Sequence, residues 1–251
     1  MITDRDAGRR VYLIVGASGT IGAAVSRRLA GREVTLGLHY RRRRDVIDEI
    51  GRDLSEKGCQ WEAFAADLES EAACERLVED FFSRWDRMNG LVICHGEVHW
   101  RVWDELSWED WMRIMKQHCL APYTLVKRSL PLMARSGWGR VAYLSSISPK
   151  YAGSAKSIHY AAAKGALEIT MRGMAREAAP SGIGINGVRA GFVLTPQQTA
   201  GRTPEEIAER IKKIPAGRAG RPEEIAAAFA YLMSEEAGFM TGEIVTMAGG
   251  D

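Results

Sequence analysis

Apolar positions along the chain fall into two alternating patterns. Short runs such as Val11-Tyr12-Leu13-Ile14-Val15 and Leu91-Val92-Ile93-Cys94 are apolar throughout, as strands buried on both faces are. Further strands are expected at residues 34–38, 62–66, 140–144, 183–189 and 243–247. Between them, apolar residues recur at helical spacing over 21–29, 44–57, 70–85, 107–133, 158–178, 204–213 and 222–234. Ser107 with Asp110 three residues on reads as a variant capping box that opens the long helix, and Pro122 should bend or interrupt it. Pro204 and Pro222 stand where a first helical turn accepts proline. Strand and helix alternate from end to end. That predicts a doubly wound α/β fold: about seven mainly parallel strands, right-handed crossovers and helices on both faces. No linker, composition break or repeat divides residues 1–251, so one domain is expected. Residues 192–221 mix glycine, proline and charge beyond a strand end, which marks them as a flap over a pocket.

Composition removes several classes. Hydrophobic residues at 46% and charged residues at 26% argue against a disordered or fibrous chain. The formal charge of +2 gives bulk electrostatics no reason to select nucleic acid. Cys59, Cys74, Cys94 and Cys119 are scattered without a CxxC pair and read as reduced thiols. No run of about 18 apolar residues suggests a membrane span. Met1-Ile2-Thr3-Asp4-Arg5-Asp6 is too polar for a signal peptide, so a cytoplasmic protein is expected.

The turn Gly16-Ala17-Ser18-Gly19-Thr20-Ile21-Gly22 joins the first strand to the first helix. Glycines there permit a tight turn, close approach of backbone to a pyrophosphate, and close helix–strand packing. The helix start then offers free N–H groups and a positive dipole end to an anion, with Ser18, Thr20 and Ile21 beside it. The second strand ends His39-Tyr40-Arg41-Arg42-Arg43-Arg44, with no acid before Asp45. An acid there would bind a ribose hydroxyl, whereas guanidinium groups suit a 2′-phosphate. This favours NADP(H) over NAD(H), with Arg41 and Arg42 as contacts alongside Tyr40.

Tyr160 and Lys164 are four residues apart at the start of a helix, so phenol and ammonium share one face. A nearby cation is expected to lower the phenol pKa toward usable acid–base work. Ser145-Ser146 ends the fifth strand, where open α/β sheets bind ligands.

These residues reach a known pattern. The chain resembles the short-chain dehydrogenase/reductases, most closely their 3-oxoacyl-thioester reductase branch. The resemblance covers nearly the whole chain. It rests on Gly16, Gly19 and Gly22, on Ala66-Asp67-Leu68, on Ser146 with Tyr160-x-x-x-Lys164, and on Asn186. It continues through Gly191-Phe192-x-x-Thr195, Gly220-Arg221-Pro222-Glu223-Glu224-Ile225-Ala226, Thr241-Gly242 and Gly249-Gly250. It implies Tyr160 as proton donor or acceptor, Lys164 as the group that lowers its pKa and holds the nicotinamide ribose, and Ser146 as the binder of the substrate oxygen. It places Asp67 near the adenine and Thr195 near the nicotinamide carboxamide, with Leu68, His95, Gly96, Gly191 and Val193 as further cofactor contacts. It also implies a homo-oligomer, a tetramer or dimer.

Four departures stand out. Val15 replaces the usual threonine before the first glycine, and Ile93-Cys94-His95-Gly96 replaces the family's Asn-Asn-Ala-Gly. Counted back from Leu130-Pro131-x-Met133, the family's tetrad asparagine becomes His118, whose ring nitrogens suit a proton relay and titrate near neutrality. The Ser146-to-Tyr160 spacing is one residue longer than usual, an insertion around residues 150–156.

The resulting expectation is NADPH-dependent reduction of a ketone, a 3-oxoacyl thioester or a related carbonyl, to a secondary alcohol. A nucleotide-binding partner subunit with weakened catalysis is the alternative, suggested by His118 and the Ile-Cys-His-Gly variant. Trp100, Trp103, Trp108 and Trp111 are expected to serve core or subunit packing more than a pocket wall. His95, His99 and His118 lack a carboxylate or thiolate at ligand spacing, so no metal is expected. Arg202, Lys212, Lys213, Arg218 and Arg221 read as a solvated helix face.

Overall fold

A computed structural model describes residues 8–200 and 202–251. The polar start, residues 1–7, lies outside the described residues, so the expectation for it stays there. Among the described residues, seven strands form one parallel sheet in the order β3-β2-β1-β4-β5-β6-β7. They are β1 (Arg10–Val15), β2 (Val34–Tyr40), β3 (Gln60–Ala65), β4 (Gly90–Ile93), β5 (Gly139–Ser146), β6 (Ile183–Ala190) and β7 (Ile244–Met247). Helices α1 (Thr20–Leu29), α2 (Arg44–Glu56), α3 (Glu71–Trp85), α4 (Trp108–Met115), α5 (Ala121–Ala134), α6 (Ile158–Ala178), α7 (Pro196–Thr199), α8 (Pro204–Lys212) and α9 (Pro222–Leu232) connect and cover them.

Strand alternation divides the core. Val11, Leu13 and Val15 of β1 pack with Leu77 and Phe81 of α3, Leu125 of α5 and Leu167 and Met171 of α6. Tyr12 and Ile14 point the other way, toward Val25 of α1, Ile47 and Leu54 of α2 and Phe229 of α9. Both faces are buried, which is why the strands read as continuous apolar runs.

The expected capping box at Ser107 is present: Asp110 N–H donates to Ser107 Oγ at 3.1 Å, and Ser107 N–H donates back to the carboxylate at 3.1 Å. The long helix is interrupted just before Pro122, as expected, by a π-helical turn at Lys116–Leu120. Pro122 has no N–H for the carbonyl of His118 four residues back, and its ring crowds that carbonyl. The widened turn closes instead through Ala121 N–H and the Lys116 carbonyl.

Residues 192–221 hold α7 and α8, and α7 is too short to show a periodicity. Phe192, Ile214 and Ala219 bury together beneath Ile207 and Ile211, so the segment has a small core of its own. One parallel bridge, Val193 to Gly220, closes its base.

Candidate active site

The strand order reverses between β1 and β4, and a cleft of about 580 Å³ opens at the carboxyl ends of the strands there. Gly19 caps α1 without a side-chain bond, and the first turn of α1 carries no acid. Its N–H groups are therefore left to an anion. Gly16, Ser18, Gly19, Thr20 and Ile21 line the cleft. Gly22 lies behind them: a Cβ on it would stand 2.2 Å from the Gly16 carbonyl oxygen, so only glycine lets the helix sit this close to the turn.

Of the arginine run, all exposed, Arg41 and Arg43 line the cleft with Tyr40, whereas Arg42 does not. Of the expected pair, Arg41 borders the cleft and Arg42 does not, while Arg43 joins the lining. The chain turns between β2 and α2, so successive side chains fan apart. Arg41 donates to Glu97 at 3.2 Å across the cleft mouth. Asp67 and Leu68 beyond β3, His95 and Gly96 beyond β4, and Gly191, Val193 and Thr195 beyond β6 all line the same space.

Ser146, Tyr160, Lys164 and His118 converge on it from β5, α6 and the π turn. Lys164 Nζ lies 5.9 Å from the Tyr160 ring centroid and donates to the Leu144 carbonyl at 2.7 Å. Ser146 Oγ accepts from the Ser148 N–H and donates to Ser148 Oγ, both at 3.1 Å. The expected lowering of the phenol pKa by Lys164 is not what this structure shows. Burial pushes Tyr160 up to about 12, and the Ser146 hydrogen bond pulls it partly back. Burial also lowers Lys164, to about 8. Burial is the larger cause, so Tyr160 is held as a protonated acid.

His118 stands edge-on to Tyr160, with ring centroids 5.0 Å apart. Its Nε2 lies 2.9 Å from the Glu97 carbonyl oxygen, to which it donates. That fixes Nδ1 as an acceptor, and Nδ1 is buried without a protein partner. The expected titration near neutrality is corrected: burial holds His118 well below 6.5, so the ring is neutral.

Of the core or subunit packing expected for the tryptophans, the single chain speaks only to the core. Trp100, Trp103 and Trp108 are 43%, 60% and 76% exposed, so core packing does not explain them. Trp100 lines the cleft, and the guanidinium of Arg202 lies 5.4 Å from its ring centroid. Arg218 forks onto Glu224 at 2.8 and 2.7 Å, outside the cleft. Among the described residues, no three His, Cys, Asp or Glu side chains are placed to hold a metal ion, and no helix is long and apolar enough to cross a membrane.

Sequence reasoning missed His39, Arg43, Glu97 and Gln117, which also line the cleft. Arg43 was readable as the alternate position in the run, and His39 as a polar residue at the end of a buried strand.

The family model described as enoyl-(acyl carrier protein) reductase matches residues 16–250. An uncharacterized oxidoreductase of Bacillus subtilis is 35% identical over 242 residues, covering 96% of this chain and 98% of that protein. A 3-oxoacyl-(acyl-carrier-protein) reductase of Aquifex aeolicus is 29% identical over 245 residues, 96% of each chain. The crystal structure of a 3-oxoacyl (acyl-carrier-protein) reductase from Agrobacterium tumefaciens C58 with NADP bound matches at a TM-score of 0.90 and 28% identity, over 100% of this chain and 98% of that one. A doubly wound sheet, an uncapped glycine turn and a Ser–Tyr–Lys convergence at the strand ends agree with these matches: the chain belongs to the short-chain dehydrogenase/reductase family of oxidoreductases.

Proposed function

We propose that the protein reduces a ketone, a 3-oxoacyl thioester or a related carbonyl, to a secondary alcohol using NADPH. The convergence of Ser146, Tyr160 and Lys164 on the switch-point cleft carries this reading. The cofactor fits the residues present. The uncapped start of α1 suits the pyrophosphate, and Arg41 and Arg43 suit a 2′-phosphate. Asp67 and Leu68 would flank the adenine, and Thr195 the carboxamide. When bound, the reduced dinucleotide supplies the hydride that reaches the carbonyl carbon.

The chain's own groups do the rest. Ser146 Oγ binds and orients the carbonyl oxygen, and Tyr160 Oη donates its proton to that oxygen as negative charge develops. Lys164 Nζ, fixed on the Leu144 carbonyl, places a positive charge beside the phenol and holds the ribose. His118 Nδ1 offers a fixed acceptor behind Tyr160, which suits relay of a proton through a bound water rather than through a charged ring. The same groups run in reverse for alcohol oxidation.

Residues 1–251 act as one domain in this reading, and 192–221 close over the substrate with Arg202 against Trp100. The exposed Trp103 and Trp108 favour a homo-oligomer, to be sized by light scattering. The unpaired thiols favour a cytoplasmic setting.

The test is NADPH oxidation followed at its absorbance band with acetoacetyl thioesters and a panel of ketones. Turnover with one of them supports the reading. Tight NADPH binding with no turnover across the panel favours the catalytically weakened partner subunit instead.

A further inference from the structure

Tyr160, Lys164 and Glu168 follow one another at four-residue spacing along α6, on a face otherwise made of Ala161, Ala163, Leu167 and Met171. Glu168 is a carboxylate at 8% side-chain exposure. Its Oε1 accepts from Ser145 Oγ at 2.6 Å and from Arg189 Nε at 3.0 Å, and its Oε2 accepts from Arg189 Nη2 at 2.6 Å. Ser145 and Arg189 are register partners on β5 and β6. Both belong to the strand face that meets α6, as Tyr143 and Ile185 do. The fork therefore ties one helix to two neighbouring strands.

What lies beside Ser145 gives the tie its meaning. The residue before it supplies the carbonyl that anchors Lys164 Nζ, and the residue after it is Ser146. We propose that Glu168 and Arg189 are positioning residues: their buried fork, acting through Ser145, sets the strand end carrying Ser146 and the Leu144 carbonyl against the helix carrying Tyr160 and Lys164. This rests on the reading of Ser146, Tyr160 and Lys164 as reacting groups.

The carboxylate also acts on Lys164 through space. Facing that lysine are Tyr160 and Glu168 on its own helix, Cys94 and His95 beyond β4, and His118 on the π turn, while Arg189 of β6 and Tyr143 of β5 face Glu168. Burial drives Lys164 toward the neutral amine, and Cys94 and Glu168 oppose it. Glu168 is the one full carboxylate in that set.

Glu168→Gln keeps an acceptor for Ser145 and the side-chain volume but removes the charge. Two readouts on the full chain need no turnover: the pH titration of the Lys164 ¹³Cε resonance, assigned with Lys164→Arg, and hydrogen exchange of residues 144–148. In Glu168→Gln the Lys164 midpoint is expected to fall by about one pH unit, since one nearby charge is lost and Arg189 is left uncompensated. Exchange at the strand end is expected to quicken about tenfold as a local opening is eased. Glu168→Gln/Arg189→Met, which also removes the cation, is expected to restore the midpoint partway while exchange stays fast. Should Glu168→Gln fail to fold, Arg189→Lys keeps the charge without the fork and is expected to quicken exchange with little change in the midpoint. Unchanged midpoint and exchange in the folded variants would overturn the strut. Full turnover by Tyr160→Phe and Lys164→Ala would instead overturn the catalytic reading and leave the strut intact.

Discussion

The backbone N–H of Gly16 donates to Nδ1 of His39 at 3.1 Å, and Nε2 of the same ring lies 3.1 Å from the carbonyl oxygen of Ala66. Because Nδ1 accepts, Nε2 carries the hydrogen and donates. One imidazole thus joins the ends of β1, β2 and β3 around the glycine turn. His39→Leu strands a half-buried N–H and carbonyl, at a cost of about 1 kcal/mol of stability. NADPH binding should weaken with it, because the turn loses its brace. Thermal melting and a fluorescence titration of NADPH check both effects, and His39→Gln is expected to recover part of each.

The buried histidines make the fold acid-sensitive. Burial holds His39 at about 4 and His95 at about 3, both below the ordinary 6.5. Between those values and 6.5 the unfolded chain takes up protons that the folded chain refuses. Their stabilising effect is complete above about pH 6.5 and is lost as pH falls toward 4 and then 3. Melting temperature should therefore be level above neutrality and fall steeply below pH 6.5, less steeply in His39→Gln. A pH-independent melting temperature down to pH 4 would contradict it.

Gly96 faces His118. At φ +123° a Cβ on it would stand 2.2 Å from His118 Cε1. Gly96→Ala must displace the ring from the edge of Tyr160, and strain of this kind costs about 1–3 kcal/mol. The expected result is a lower kcat with a lower melting temperature. His118→Asn should tolerate Gly96→Ala better, because the shorter side chain frees that space. A double-mutant cycle on the two sites measures the coupling.

Cofactor choice should rest on Arg41 and Arg43. Replacing either by Ala is expected to raise the Kd for NADPH by about 10- to 100-fold, as loss of a charge-assisted bond of roughly 1.5–3 kcal/mol implies. The Kd for NADH should barely move. Arg42→Ala, outside the cleft lining, should leave both unchanged. Calorimetry with the two dinucleotides separates these outcomes.

Much of this molecule is legible from local pattern. Helix α6 falls at 158–178, as its periodicity indicated, because an alanine-rich face packs on the sheet and Pro180 with Gly182 stops it. Tyr160 and Lys164 meet in the cleft because four-residue spacing is a property of any helix. What the pattern hides is long-range. Nothing near position 39 says that a histidine will reach back to Gly16, and nothing near 168 says that a carboxylate will find Arg189. The direction of the Tyr160 pKa shift was also hidden, because an i,i+4 lysine is visible in sequence whereas the depth of burial that raises the phenol is not.

Proton donation by Tyr160 is the central step. With an accepted ketone substrate, Tyr160→Phe should lower kcat by about 10²- to 10⁴-fold, the usual worth of a positioned general acid. Its NADPH Kd, measured on the same preparation by fluorescence titration, should stay within about twofold of the parent, because the phenol hydroxyl is not called on to bind the phosphates. Near-parent kcat in that variant, with binding intact, would contradict the mechanism.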